Sequence, residues 1–349
     1  MSPAASGQAA ATMRWGMTRT QEGATEMQSI PELVAEANAV GLVTRGEVQQ
    51  GLVSVRAVAA TGRVRAILVG DQPVGVVKEP GEGGGSAELN RERQALSRLH
   101  EMDVAPRLLP DAGGTTLWAR VVRGVDLVHL RAGVPELAEM CECWGVQLAQ
   151  LHRMPVTGRP GVSDAPRPWL LAADRRARVA ARVHRHSQAG GVLATVEREP
   201  RLRLATGQVE ARWTARHWVH GDLRPSNVVL DPAPPVRVRF LNFEYAGLGD
   251  PAWDLATALD TLVWLASRPR SQASAECLGD YFLRGYRRAG GPGSLYPAMQ
   301  AVRALATAWQ LAEAAPDRPS AGLRAQLDGW LDRARSFAER SAARAQPAA

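Results

Sequence analysis

The chain has 349 residues, enough for two lobes around a shared core, and 45% of them are hydrophobic, yet no run of eighteen or more apolar residues occurs, so no membrane-spanning helix is expected. Its 42 basic and 35 acidic side chains leave a net charge of +7, but the aromatics are not interleaved with the arginines and no familiar nucleic-acid module is present, so nucleic acid is not an expected partner. Three cysteines without zinc spacing make no disulfide framework, and a reduced, cytoplasmic setting is expected.

Residues 1–28 read as a flexible tail with no apolar block of a secretory signal. "SIPELVAEANAV" predicts a short helix with Ser29 as N-cap and Pro31 in its first turn. "LVSVRAVA", "RVRAILVG" and "PVGVVK" then predict three strands, because they are β-branched, partly alternating and parted by the turn signals "ATG" and "GDQ". Lys78 ends the third strand. It is the only lysine in the chain, the other 41 of 42 basic residues being arginine, which marks a place where arginine does not serve. "ELNRERQALSRLHEM" has apolar residues at helical spacing and sets Glu92 in register to face Lys78, although pairing with a neighbouring arginine is the plainer use of that carboxylate. "TLWARVV" is a further strand.

From 123 the pattern is mainly helical. "PELAEMCECWGVQLAQLHRM" is a long amphipathic helix, 172–204 is arginine-rich and helical in part, and "AWDLATALDTLVWLAS" and "GLRAQLDGWLDRARSFAER" follow. Trp144, Trp264, Trp309 and Trp330 are expected in its core. The division predicted is a β-rich lobe over 29–122, a helical lobe over 123–340 and a second flexible tail over 341–349.

Two short strands flank "HWVHGDLRPSNVVL" and "VRFLNFEYAGLGDPAWDLA". Phosphoryl transfer from ATP needs a cation on the phosphates, a carboxylate to take the attacking hydroxyl's proton, and magnesium ligands. Asp222 and Asn227 lie on one loop stiffened by Pro225, so both side chains can enter one pocket, the first toward a hydroxyl and the second toward a metal. His220 is expected to pack and hydrogen-bond rather than act as an acid or base.

"VHGDLRPSNVVL" and "GLGDPAWDLA" resemble the catalytic and metal-loop signatures of the aminoglycoside phosphotransferase/choline kinase family, relatives of the protein kinases. The likeness spans roughly 50–310. It implies an α+β, protein-kinase-like two-lobed fold with ATP and Mg²⁺ between the lobes. Carried over, Asp222 is the catalytic base and Asn227 a magnesium ligand, while Lys78 with Glu92 holds the phosphates. Backbone groups from Val121 to Arg123 meet the adenine, and His220, Arg224 and Asp254 support the loop.

Two positions depart from that family. Its metal loop begins with an aspartate, and here Asn242 stands in its place, an amide oxygen without charge; Glu244, two residues on, is expected to point the same way in an extended segment and to share the metal. The phosphate loop has one glycine, Gly62, so Arg63 or Arg65 is expected to help hold phosphate.

The arginines of "DRRARVAARVHRH" read most simply as a solvated helix face. If they line the substrate side they favour an anionic acceptor or acidic peptide over a polycationic aminoglycoside. The small-lobe run from 53 to 80 also loosely resembles phosphotransferase-like proteins of ribosomal-peptide (lanthipeptide- or thioamitide-type) biosynthetic pathways. The expectation is therefore an ATP-dependent phosphotransferase acting on Ser/Thr of a peptide or on a natural product, with a partner lyase or cyclase. The alternatives are a pseudokinase-type nucleotide- or peptide-binding scaffold and a small-molecule kinase.

Overall fold

A computed structural model of the protein describes residues 27–58, 63–81, 85–110, 115–131, 134–156, 163–183, 187–268, 273–316 and 319–345. The first helices begin where capping chemistry places them. In α1 (Ile30–Ala39) the Ser29 backbone N–H donates to Glu32 Oε2 at 2.7 Å, and α2 (Arg45–Gln49) repeats the box with Thr44 and Glu47.

Strands β1 (Val53–Ala57), β2 (Val64–Val69), β3 (Gln72–Lys78) and, after α3 (Gly85–Leu99), β4 (Leu117–Arg120) form one antiparallel sheet in the order β1-β2-β3-β4. Ile67, Val77 and Trp118 bury against Leu33 and Ala37 of α1. Lys78 pairs with Val64 on one side and Leu117 on the other, so ladders on both sides fix the origin of its side chain. Three strands are shorter than the sequence predicts, β1 stopping at Ala57 and β4 at Arg120 where the chain turns toward the helical part, while β3 begins one residue earlier than predicted, at Gln72.

The larger part follows, with β5 (Val125–Asp126), α4 (Val134–His152), α5 (Ala173–Arg182), α6 (Gln188–Arg198), α7 (Pro200–Arg212), β6 (His217–Val219), β7 (Val228–Asp231), β8 (Arg237–Phe240), β9 (Gly247–Gly249), α8 (Pro251–Ala266), α9 (Ala275–Arg288), α10 (Pro297–Glu313) and α11 (Ala321–Ala345). The predicted helical stretch over 172–204 is three helices; Val183 and Glu199 are extended, and Pro200 opens α7. Two small antiparallel ladders, β5-β7-β8 and β6-β9, flank the loop 220–227 and the turn 241–246.

One core joins α3, α4, β7, β8, α8 and α9, with Trp144 edge-on to Phe282. Helices α4 and α9 lie unusually close, because a Cβ on Gly145 would strike the Phe282 carbonyl and one on Gly285 the Glu142 carbonyl. A second core unites α7, α8, α10 and α11. Trp144 and Trp309 are buried, and Trp264 and Trp330 are half-buried. The result is a mixed α+β chain with a small antiparallel sheet lobe and a larger helical part. No helix among the described residues is long and apolar enough to cross a membrane.

Candidate active site

The loop after β6 is held from below by one buried carboxylate. Asp254, in the first turn of α8, accepts from the His220 backbone N–H at 2.6 Å and from that of Gly221 at 2.9 Å. His152, the last residue of α4, meets Asp254 Oδ2 through Nε2 at 3.1 Å, and Tyr286 Oη meets its Nδ1 at 2.8 Å. Gly293 N–H donates to Tyr286 Oη, so a consistent chain of donors runs from Gly293 through Tyr286 and His152 to Asp254. Burial alone would raise the Asp254 carboxyl; the hydrogen bonds it accepts from His152 and from the His220 backbone N–H hold it below the ordinary carboxylate range. Trp253 Nε1 donates to Gly221 O at 3.0 Å and Thr261 Oγ1 to Leu223 O at 2.8 Å, tying two more turns of the loop to α8. Gly221 has φ +82°, and a Cβ there would lie 2.6 Å from Tyr245 O, so this turn requires glycine.

Above this brace, Asp222 is almost buried and its Oδ2 collects several donors. Arg224 Nε reaches it at 2.6 Å, Arg224 Nη2 also contacts it, and Asn227 Nδ2 donates at 2.9 Å. The same Asn227 nitrogen donates to Asp222 O at 2.8 Å, so both amide hydrogens are used and the Asn227 carbonyl oxygen is left for another partner. His220 is fully buried against Phe240 and Phe243, its Nε2–H directed at Leu241 O and its Nδ1 accepting from Asp222 N–H. Burial pushes its pKa down, in keeping with a neutral packing residue.

Across the cleft, Lys78 Nζ meets both carboxylate oxygens of Glu92, at 2.8 and 2.7 Å. It also donates to Asn242 Oδ1 at 2.6 Å, and Asn242 Nδ2 donates to Glu244 Oε1 at 3.0 Å. The segment is not extended as the sequence reading has it. Asn242 is left-handed, with φ 66°, and Phe243–Tyr245 is a turn of 3-10 helix. The short turn still brings the two side chains together. Burial raises the Glu244 carboxyl, opposed by Lys78 and reinforced by Glu92 and Glu88, and Arg224 Nη2 stands 4.0 Å from its Oε1.

Gly62 lies outside the described residues. Arg63 donates to Pro80 O, while Arg65 pairs with Glu79 at 2.9 Å and donates to Gln28 O at 2.8 Å. Val121 and Val122, half-buried, and exposed Arg123 form the connector between β4 and β5. Sequence reasoning misses His152, Tyr286 and Arg91, which donates to Glu244 O at 2.9 Å. For His152 a signal exists: it follows buried Trp144 and Leu148 at four-residue steps on one helix face.

A family model described as "Phosphotransferase enzyme family" matches residues 55–305. No curated protein matches the chain by sequence. Among solved structures, the choline kinase LicA from Streptococcus pneumoniae is 14% identical, with a TM-score of 0.55 over 89% of this chain and 100% of that one. The aminoglycoside phosphotransferase APH(3'')-Id from Streptomyces rimosus, in complex with ADP and streptomycin, is 20% identical, with a TM-score of 0.53 over 87% of this chain and 99% of that one. A microcompartment-associated aminopropanol kinase is 14% identical, with a TM-score of 0.59 over 88% of this chain and 97% of that one.

Proposed function

Because this chain belongs to the phosphotransferase enzyme family, we propose that it moves the γ-phosphoryl group of ATP to a hydroxyl acceptor, with Asp222 as the base. The observation that carries this reading is the polarity of the Asp222 carboxylate. Oδ2 is engaged by Arg224 and Asn227, which leaves Oδ1 to accept the proton of an incoming hydroxyl. The nucleotide bound by a structural neighbour, ADP, supports a nucleotide in the cleft. Lys78, held by Glu92, would meet its phosphates as a point charge.

The donor set fits magnesium in part. Among the described residues no group of three or more His, Cys, Asp and Glu side chains could hold a metal. Magnesium needs only one or two protein ligands when phosphates and water supply the rest. Asn227, through its remaining carbonyl oxygen, and Glu244 would hold it; Asn242, whose oxygen is on Lys78, serves first as an anchor for that lysine. Bound there, the cation would offset phosphate charge. The acceptor proposed is a hydroxyl of a peptide Ser/Thr or of a natural product, used afterwards by a lyase or cyclase; the small-lobe likeness of 53–80 supports that choice.

A second reading, a nucleotide-binding scaffold without turnover, is favoured by Asn242, which leaves the cleft one carboxylate poorer. Magnesium-dependent ADP production in the purified protein, falling at least about 100-fold in Asp222→Ala, is the expected result. Stabilisation by ATP with no ADP formed in the wild type would decide for the scaffold.

A further inference from the structure

A second polar cluster lies behind the catalytic loop. Arg303, on α10, is buried, and its guanidinium carbon sits 5.1 Å from the centroid of the Trp253 ring. The indole nitrogen of that ring is the one bonded to Gly221 O, so a single side chain separates Arg303 from the residue before Asp222. Arg303 Nε stands 3.6 Å from Asp260 Oδ2, beyond hydrogen-bond reach, and is buried without a partner. Its Nη2 has one long bond, to Gln310 Oε1 at 3.4 Å. Arg333, on α11, approaches the other oxygen of the same carboxylate, Nε to Oδ1 at 3.8 Å, and this Nε is likewise buried and unpartnered. Its guanidinium lies over the Trp330 and Phe337 rings, and 30% of the side chain remains exposed.

A purely structural ion pair between arginine and carboxylate closes to about 2.7–2.9 Å and is commonly bidentate. Neither arginine does so here. Two guanidiniums share one carboxylate, which leaves unmade donors one side chain away from the loop of the base. Buried donors without acceptors are costly, and that cost is relieved by a planar anion that meets their remaining N–H groups. A carboxylate supplies the acceptor these donors lack, whereas a cationic acceptor does not.

We propose that Arg303 and Arg333 form the anion-recognising side of the acceptor site, so that the acceptor is a hydroxyl compound that also carries a carboxylate. This rests on the phosphotransferase reading above and names its substrate class. It shifts the recognition away from α5, whose Arg178 and Arg182 are exposed. The carboxylate can belong to a free hydroxy acid or to an acidic side chain flanking serine in a peptide.

Calorimetry on the nucleotide-free protein tests it, with glycerate, glycerol and ethanolamine as small probes and two serine hexapeptides, flanked by aspartates or by lysines. Binding is expected for glycerate or the aspartate-flanked peptide, and which of these binds identifies the source of the carboxylate. Arg333→Gln, at the more exposed position, should weaken that binding about tenfold, the scale of one charge-assisted hydrogen bond, and Arg333→Lys should restore part of it. Arg303→Lys, with folding checked by circular dichroism, should weaken it as well. Equal binding of neutral or cationic probes, no binding of either anionic probe, or unchanged affinity in Arg333→Gln would overturn the assignment. Normal probe binding without any ADP production would instead count against phosphoryl transfer alone.

Discussion

Asn242→Asp separates charge from shape at the position where the sequence resemblance leads one to expect an aspartate. The amide now serves two partners, accepting from Lys78 Nζ at 2.6 Å and donating to Glu244 Oε1 at 3.0 Å. A carboxylate turns the first contact into an ion pair with an attraction of about 6 kcal/mol at an effective dielectric of about 20. It turns the second into a repulsion of similar size, about 6 kcal/mol at the same dielectric, and removes the donor that Glu244 now has. The Coulomb contributions cancel, so the lost charge-assisted hydrogen bond sets the sign, a net destabilisation of about 1.5–3 kcal/mol without cation. In a chain this long that lowers the melting temperature by a few degrees. A divalent cation reverses the balance, since two carboxylates facing each other attract it. Scanning fluorimetry with and without Mg²⁺ and ATP, together with a magnesium titration of ADP production, should show a lower apo melting temperature, recovery on adding Mg²⁺ with ATP, and half-saturation at roughly tenfold less magnesium, the factor that corresponds to about 1.4 kcal/mol. An unchanged melting temperature with unchanged magnesium dependence would refute the placement of Asn242 between the lysine and the cation.

Two further predictions concern the buried carboxylates of α8. Asp254→Asn offers an amide hydrogen to a site that needs only acceptors, so urea unfolding should report a loss of about 3–5 kcal/mol; a variant as stable as the wild type contradicts the brace. Burial pushes the Asp260 carboxyl from its ordinary 3.8 up to about 6 against the pull of Arg303 and Arg333. Between about pH 4 and 6 the folded protein thus keeps a proton that the unfolded chain has lost. The stability of the wild type relative to Asp260→Asn should fall as pH rises through that window, by up to about 1.4 kcal/mol per pH unit, and level off above it. Unfolding curves at pH 4, 5, 6 and 7 check the slope, and a constant difference between the two proteins removes the claim.

What the sequence discloses about this site is what local geometry determines. Asp222 and Asn227 share one loop, so their five-residue spacing already limits where the two side chains can go, and the structure bonds them directly. Glu92 lies one strand-end and one helix from Lys78, a distance over which periodicity still predicts facing. The partners of Asn242 and Asp254 are of another kind. Lys78 is 164 residues from Asn242, and His152 is 102 from Asp254; these meetings depend on how lobes and helices pack, including the close α4–α9 contact that Gly145 and Gly285 allow. The expectation of an extended segment at Asn242 fails for a related reason. Asparagine tolerates the left-handed region, and here that turn is stabilised by bonds to residues on both sides of the cleft.

Asn242 accordingly reads differently on the two scales. Along the sequence it subtracts one charge from a metal loop. In the fold it spares Glu244 a like-charged neighbour at 3.0 Å and gives Lys78 an acceptor beyond Glu92. An aspartate in this geometry is comfortable only when a cation is present, whereas asparagine joins the two sides of the cleft with or without one. The arrangement therefore sets the lysine and the turn in place without a ligand, and on the function proposed above it leaves cation affinity to Asn227, Glu244 and the phosphates of the nucleotide. It follows that magnesium should bind this cleft weakly on its own and tightly only together with ATP.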